Sequence, residues 1–337
     1  MTDTLVLGGT GLLGYHTTLE LLRRGYGVTT LSLPTQDADF FPAESDARFG
    51  DLTQMSDDEL GALLTGKHAV FYAIGADERT VPPAPAARFF YQANVIPTQR
   101  VARLAREAGV AKFVVYGSYT AEWAEKWPDL GYRTRNGYPR TRLAQEEVAY
   151  LEGDGAMDVM VLRLPYIFGL VAGQRPLWEM FLDMARAEGP VTTLGGSTSS
   201  VTVRQVAQAA VGAMEHGEHG GRYAINAYDL TYAELFRACC EAVGRSPEDV
   251  LVVPLEAVLP GYEAAQEQLS ATGVEHGVHL PDTARFQARD AVSDPAACAV
   301  LGIEPDDVPG AIRETLQWCI DHPREVAPPE GCPRAPR

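Results

Sequence analysis

Apolar positions along the chain alternate between two periods. Residues 4–7 form a short apolar run that reads as a buried strand. From residue 11 to 24 the side chains of Leu12, Leu13, Leu19, Leu21 and Leu22 supply the apolar face of a helix, which Gly25 ends. Residues 28–33 read as a second strand stopped by Pro34, and 47–52 as a short third one. A helix over 57–64 leads into a fourth strand over 69–74. A long helical pattern over 87–108 closes at Gly109, and strand 112–116, helix 139–151 and strand 159–164 follow. Strands separated by helices of this length predict a doubly wound parallel sheet, with right-handed crossovers placing helices on both faces. After Gly169 the order changes. Helices are expected over 177–187 and 203–215, a strand over 222–226, and a helix opened by a Thr231–Glu234 capping box. A strand-like run at 250–253 and a last helix over 309–320 complete the pattern, while 255–290 shows no clear period. The reading is an α/β chain with a doubly wound first domain over 1–170. A smaller C-terminal α/β substrate lobe over 171–322 is interwoven with it, and 323–337 is a flexible Pro-rich tail.

Composition narrows the partners. The 337 residues carry a formal charge of −17, which repels phosphate backbones and anionic membranes, so no nucleic-acid or membrane partner is expected. The five cysteines come late, without a CxxC pair, and read as reduced thiols. The first residues show no basic stretch leading into a long apolar one, and no run of ~18 apolar residues follows, so a cytoplasmic protein is expected. The seven histidines, among them His216, His219, His276 and His279, lack ligand spacing, and no metal site is expected.

Candidate chemistry begins at Gly8-Gly9-Thr10-Gly11-Leu12-Leu13-Gly14, between the first strand and the first helix. In that context Gly8 permits a tight turn, Gly11 lets backbone approach a pyrophosphate, and Gly14 lets helix pack closely on strand. The helix N-terminus adds unpaired N–H groups and partial positive charge. This is the mark of a Rossmann dinucleotide-binding unit. An acidic residue at the end of the second strand is usual for NAD. Here Ser32 stands in that region, which leans the choice toward NADP over NAD without closing it. Asp51, before Leu52, is a candidate for the adenine end, or a loop residue capping a turn.

Further landmarks are Gly50-Asp51-Leu52, Asn94-Val95, Lys112 to Ser118, Tyr138 to Glu146 and Leu162 to Gly169, with Leu301-Gly302-Ile303 and Gln317-Trp318-Cys319 near the end. In this order and spacing, over roughly residues 3–321, the chain resembles the extended short-chain dehydrogenase/reductases, the NAD-dependent epimerase/dehydratase family. The resemblance implies a catalytic Tyr-x-x-x-Lys pair with a Ser or Thr. Tyr138-Pro139-Arg140-Thr141-Arg142 occupies that slot, with Tyr138 as acid/base, Ser118 as donor to the substrate oxygen, and Arg142 in place of Lys. Arginine keeps the charge, but its planar fork is larger than an ammonium group. Pro139 is expected at the first helical position, which places Tyr138 at the helix entry and Arg142 one turn on. The resemblance also assigns Ala73, Ile74, Asn94, Pro165 and Ile167 to the cofactor, along with the glycine loop, and Tyr119, Tyr166 and Arg204 to the substrate. Tyr119, Trp123, Tyr132 and Arg133 fall where a lid would lie. The implied function is an NAD(P)-dependent oxidoreductase or epimerase acting on a hydroxyl or carbonyl carbon of a sugar nucleotide or other small metabolite. A homodimer formed through the helices over 87–108 and 139–151 is also implied. The alternative is a non-catalytic dinucleotide-binding sensor or scaffold, motivated by Arg142.

Overall fold

The computed structural model describes residues 2–324; the tail expected over 323–337 lies almost wholly outside the described residues. Strands β1 (Asp3–Leu7), β2 (Gly27–Ser32), β3 (Asp46–Phe49), β4 (Ala69–Tyr72), β5 (Lys112–Tyr116) and β6 (Asp158–Arg163) alternate with helices. These are α1 (Leu12–Arg23), α2 (Asp57–Leu64), α3 (Ala86–Phe90), α4 (Ile96–Glu107), α5 (Tyr119–Lys126) and α6 (Gly137–Gly153). Further on lie β7 (Tyr166–Phe168), α7 (Glu179–Arg186), β8 (Val191–Thr193), β9 (Ser197–Thr202), α8 (Val203–His216), β10 (Gly221–Ala224), β11 (Tyr228–Thr231) and α9 (Tyr232–Ala242). Last come β12 (Val250–Val252), α10 (Leu255–Ala271), α11 (Leu280–Gln287), β13 (Asp290–Ala291), α12 (Ala296–Val300) and α13 (Val308–Asp321).

The main sheet is seven-stranded, parallel throughout, in the order β10-β6-β5-β4-β1-β2-β3. Strand side chains alternate between its faces. Leu5 and Leu7 pack with α2, α4 and α6, while Val6 packs with α1 and α8. Covering both faces is what a near-continuous apolar parallel strand requires. β10 returns to this sheet from late in the chain, after β7 and β9 have begun a second, smaller sheet with β11 and β13. A third core around Phe168, Trp178, Leu235 and Leu316 joins α7, α9 and α13.

Several elements differ from the expected ones for identifiable reasons. The helix over 87–108 is interrupted by a π-turn at Tyr91–Val95. Pro97 has no N–H to give the carbonyl four residues back, and one extra residue is accommodated before it. Helix α6 starts earlier than expected, with Asn136 as N-cap, so Pro139 sits at the third helical position. That is still within the first turn, where a missing N–H costs nothing. Thr231 caps α9 through the Glu234 N–H, but the Glu234 carboxylate turns to the Tyr228 hydroxyl, so the box is half formed. A reciprocal box forms instead at Thr202 and Gln205 on α8. The aperiodic stretch 255–290 contains α10, none of whose residues is fully buried, and α11. Such a helix lacks the strong apolar stripe that reveals one in sequence.

Arg163, at the end of β6 and 5% exposed, ties three of these elements together. Its Nε and one Nη donate to Glu146 of α6 at 2.9 and 2.7 Å, and the other Nη to Glu125 of α5 at 2.7 Å. Arg222 of β10 lies 3.4 Å from Glu146 and 3.9 Å from Glu147 and extends the cluster. Removing one member of a buried pair strands the other. Arg163→Met is therefore expected to lower the unfolding free energy by about 3–5 kcal/mol in urea titration. A loss under about 1 kcal/mol would show that Glu146 is not held as a buried charge.

Candidate active site

The glycine loop is shaped by contacts that exclude side chains. Gly8 has φ +88° and its carbonyl accepts from the Gly11 N–H at 3.0 Å. A Cβ on Gly14 would lie 2.2 Å from the Gly8 oxygen, so this glycine allows α1 to pack against the loop. A Cβ on Gly11 would meet only that oxygen, at 3.2 Å, which leaves its outer side open. No side chain caps α1 and no acidic residue stands in its first turn. The positive end of the helix and an open backbone therefore face the same space, where Leu12 and Leu13 are half-buried, and an anionic pyrophosphate fits there.

Neighbouring residues brace that loop. The Ser32 hydroxyl accepts from the Thr10 N–H at 2.9 Å and is buried. Gln174 donates to the Thr10 carbonyl at 2.7 Å, and His16 Nε2 lies 2.8 Å from the Leu170 carbonyl oxygen. These two contacts bring 170–174 across the loop, and sequence reasoning missed them because they span more than 150 positions. Ala73 and Ile74 leave β4 beside Gly8. Buried Asn94 accepts from the Ala76 N–H at 2.7 Å and donates to its carbonyl at 3.0 Å, fixing the turn after Gly75. The π-turn is what presents Asn94 there. Asp51 is exposed, and its carboxylate accepts from the Thr53 N–H and hydroxyl, which hold it below the usual carboxylate range. This is the turn-capping geometry; Leu52 behind it is core.

The expected catalytic residues come together where β5 ends. Ser118 is the N-cap of α5 and accepts from the Thr120 N–H at 3.2 Å. That helix went unread in the sequence because its aromatic residues read as a lid. In the structure Tyr119, Trp123 and Tyr132 are buried wall, while Arg133 is exposed. Tyr138 stands in the first turn of α6 with its N–H donating to the Gly277 carbonyl at 2.9 Å. Burial pushes its phenol up, and Arg142 and Ser118 act against that shift. The Arg142 guanidinium carbon is 5.0 Å from the Tyr138 ring centroid. Its hydrogen-bond partners are all neutral: Gln145 Oε1 at 2.7 Å, and the Tyr116 and Ala76 carbonyls at 3.4 Å. Its Nε is buried without a partner, an orphan donor aimed at no protein acceptor. Gln145 continues to Thr98 at 2.8 Å, whose hydroxyl donates to the Asn94 carbonyl at 2.6 Å. The guanidinium is thus oriented by the same π-turn that holds the β4 loop.

Pro165 is buried and Ile167 half-buried just past β6. Tyr166 packs between Tyr119 and Tyr232, each at 6.2 Å between ring centroids, and burial raises all three phenols. Arg204 does begin α8, but it is exposed and ion-paired with Asp306 at 2.8 Å. Glu78, on the loop between β4 and α3, was not anticipated. Its carboxyl is pushed up to about 7, by burial first and then by neighbouring Asp77, with Arg79 and Arg142 opposing. The signal was available in sequence: a carboxylate shortly past a strand end, where ligands of open α/β sheets gather.

The loop geometry makes a separable prediction. Gly11→Val is expected to weaken NADH binding, read by fluorescence titration, by about tenfold or more while the melting temperature stays near wild type. Unchanged affinity would remove the pyrophosphate from this loop.

The chain is similar to several known proteins. The human sterol-4-alpha-carboxylate 3-dehydrogenase, decarboxylating, from Homo sapiens is 34% identical over 175 residues, covering 49% of this chain and 44% of that protein. The Mus musculus protein of the same name is 27% identical over 245 residues, covering 68% of this chain and 64% of that protein. The chain thus spans less than two thirds of these relatives' own length. Among solved structures, gox2253 superposes with a TM-score of 0.75 at 23% identity, covering 96% of this chain and 99% of the other. DesIV, a dTDP-glucose 4,6-dehydratase from Streptomyces venezuelae with NAD and TYD bound, gives 0.67 at 19% identity, covering 95% and 98%. These likenesses show a shared fold. The family model described as NAD dependent epimerase/dehydratase family matches residues 4–226, and the chain belongs to that family.

Proposed function

We propose that the protein is an NAD(P)-dependent oxidoreductase or epimerase that acts on a hydroxyl or carbonyl carbon of a small molecule. The observation that carries this reading is the meeting of Tyr138, Ser118 and Arg142 at the end of β5. A bound nicotinamide supplies a hydride acceptor or donor. The glycine loop and the α1 N-terminus are placed to hold the pyrophosphate, and the orphan Arg142 Nε is the donor left for a ribose hydroxyl. The Tyr138 phenolate oxygen takes the proton of a substrate hydroxyl during oxidation, and the phenol so formed gives a proton back during reduction. Arg142 favours the tyrosinate that this requires, while Ser118 donates to the substrate oxygen. Residues up to about 170 form the cofactor half in this reading, and Tyr119 and Tyr166 line the substrate side. Exposed Tyr91, Ile96 and Leu151, on the π-turn and helices α4 and α6, are the apolar residues through which two copies would pair.

Related proteins bear names of two kinds, a sterol carboxylate dehydrogenase and sugar-nucleotide enzymes. A panel of secondary alcohols and ketones with NAD or NADP identifies the substrate side. With the best substrate, Tyr138→Phe is expected to lower turnover by about 10²–10⁴-fold while NADH still binds. Unchanged turnover would remove Tyr138 from the chemistry. Tight cofactor binding with no turnover across the panel would favour a dinucleotide sensor. No carboxylate at the Ser32 position repels a 2′-phosphate, so NADPH is expected to bind at least as tightly as NADH. A preference of about tenfold for NADH in parallel titrations would reverse that assignment.

A further inference from the structure

The segment that leaves β7 crosses the glycine loop and is tied down on both sides of it. On α1, His16 Nε2 lies 2.8 Å from the Leu170 carbonyl oxygen, and because a carbonyl only accepts, that nitrogen carries the proton. Gln174 donates through Nε2 to the Thr10 carbonyl at 2.7 Å, while the Thr10 N–H donates to Ser32 at the end of β2. Beyond Ser32, the loop after β2 touches the same segment. A Cβ on Gly173, where φ is +76°, would lie 2.2 Å from the Gln36 side-chain nitrogen. Residues 170–174 therefore reach from α1, past Thr10, to the loop after β2. In a Rossmann unit the adenosine half of a dinucleotide runs between the same two points, from the glycine loop to the end of the second strand.

The two sides of this path are held with unequal firmness. The loop after β2 is anchored from within: a Cβ on Gly9 would lie 3.2 Å from buried Phe41, and Phe40 packs on Tyr15 at 4.7 Å between ring centroids. The crossing segment is closed at its base, where Trp178 Nε1 donates to the Ile167 carbonyl at 2.7 Å. Within 170–174 Val171 is buried, whereas Ala172 and Gly173 are exposed. A stretch with so little buried apolar surface, fastened by side-chain hydrogen bonds from Gln174 and His16, opens locally at small cost.

We propose that residues 170–174 are a strap over the adenosine half of the dinucleotide, latched by Gln174 and His16, and that its opening governs how fast the cofactor enters and leaves. The inference rests on the reading of the glycine loop as a pyrophosphate site. A latched strap obstructs the way in as well as the way out. Loosening it speeds both and moves the dissociation constant far less. Damage to the glycine loop acts otherwise, because it removes contacts made in the bound state, speeds release and leaves capture as it was. Gln174 and His16 are positioning residues that act through the strap.

The test follows NADH fluorescence in stopped flow, with capture read on mixing and release read on chasing with excess NAD. Gln174→Leu and His16→Leu keep the bulk and delete the donor. Each is expected to raise the release and capture rates alike by about tenfold, leaving the dissociation constant within about threefold of wild type. His16→Gln keeps a donor and is expected to stay within about twofold of wild type in both rates. The melting temperature shows which variants fold. Unchanged release in either folded leucine variant, faster release with unchanged capture, or a His16→Gln as fast as His16→Leu overturns the proposal. Failure of the wild-type protein to bind NADH and NADPH alike would instead overturn the reading of the glycine loop, so the two failures are distinguishable.

Discussion

Arg163 and the carboxylates around it constrain everything built at the end of the sheet. Ser118 caps α5, Tyr138 and Arg142 ride on α6, and β6 leads directly into Pro165 and Tyr166. These elements have no reason of propensity to hold a fixed mutual angle, because helix α6 presents polar as well as apolar residues to its neighbours. A guanidinium at the strand end, bonded twice to Glu146 and once to Glu125, supplies that angle. Burying charge for this purpose is costly unless every partner is satisfied, and Arg222 satisfies the remaining side of Glu146.

The fold was largely legible because parallel strands covered on both faces leave apolar runs that alternate with amphipathic helices, and because glycines punctuate the ends. The glycine loop was legible for a stronger reason: Gly8 and Gly14 are where contacts within a few ångströms forbid a side chain. Asn94 and Arg142 were found through their place in a family pattern. Their partners were not: Gln145, Thr98 and the Ala76 turn are joined by hydrogen bonds between segments far apart in the chain. Arg204 shows the converse. The resemblance marked it as a substrate ligand, while in the structure Asp306, 102 positions later, is its partner. Helix α10 left no trace because none of its residues is fully buried, so it needs no apolar stripe.

Arginine in place of lysine is accommodated by a change of partners. An ammonium group would be a compact point charge, whereas a planar fork needs several acceptors in one plane. Gln145, one helical turn beyond Arg142, with the Tyr116 and Ala76 carbonyls, provides them for both terminal nitrogens and leaves Nε free. The guanidinium then lies over the Tyr138 ring, so its charge is felt by the phenol through the ring as well as through space.

The segment after α10 adds a dependence between distant parts of the chain. Ala84 donates to the Gly273 carbonyl, Glu275 bonds back to Pro82 and Ala86, and Gly277 accepts from Tyr138. A Cβ at Gly277 would come within 2.7 Å of the Tyr138 side chain. During synthesis, therefore, the glycine loop and its supporting strands can be complete while Tyr138 still lacks its backbone partner. A ligand held by that loop can stabilise the half already made while the rest of the chain emerges.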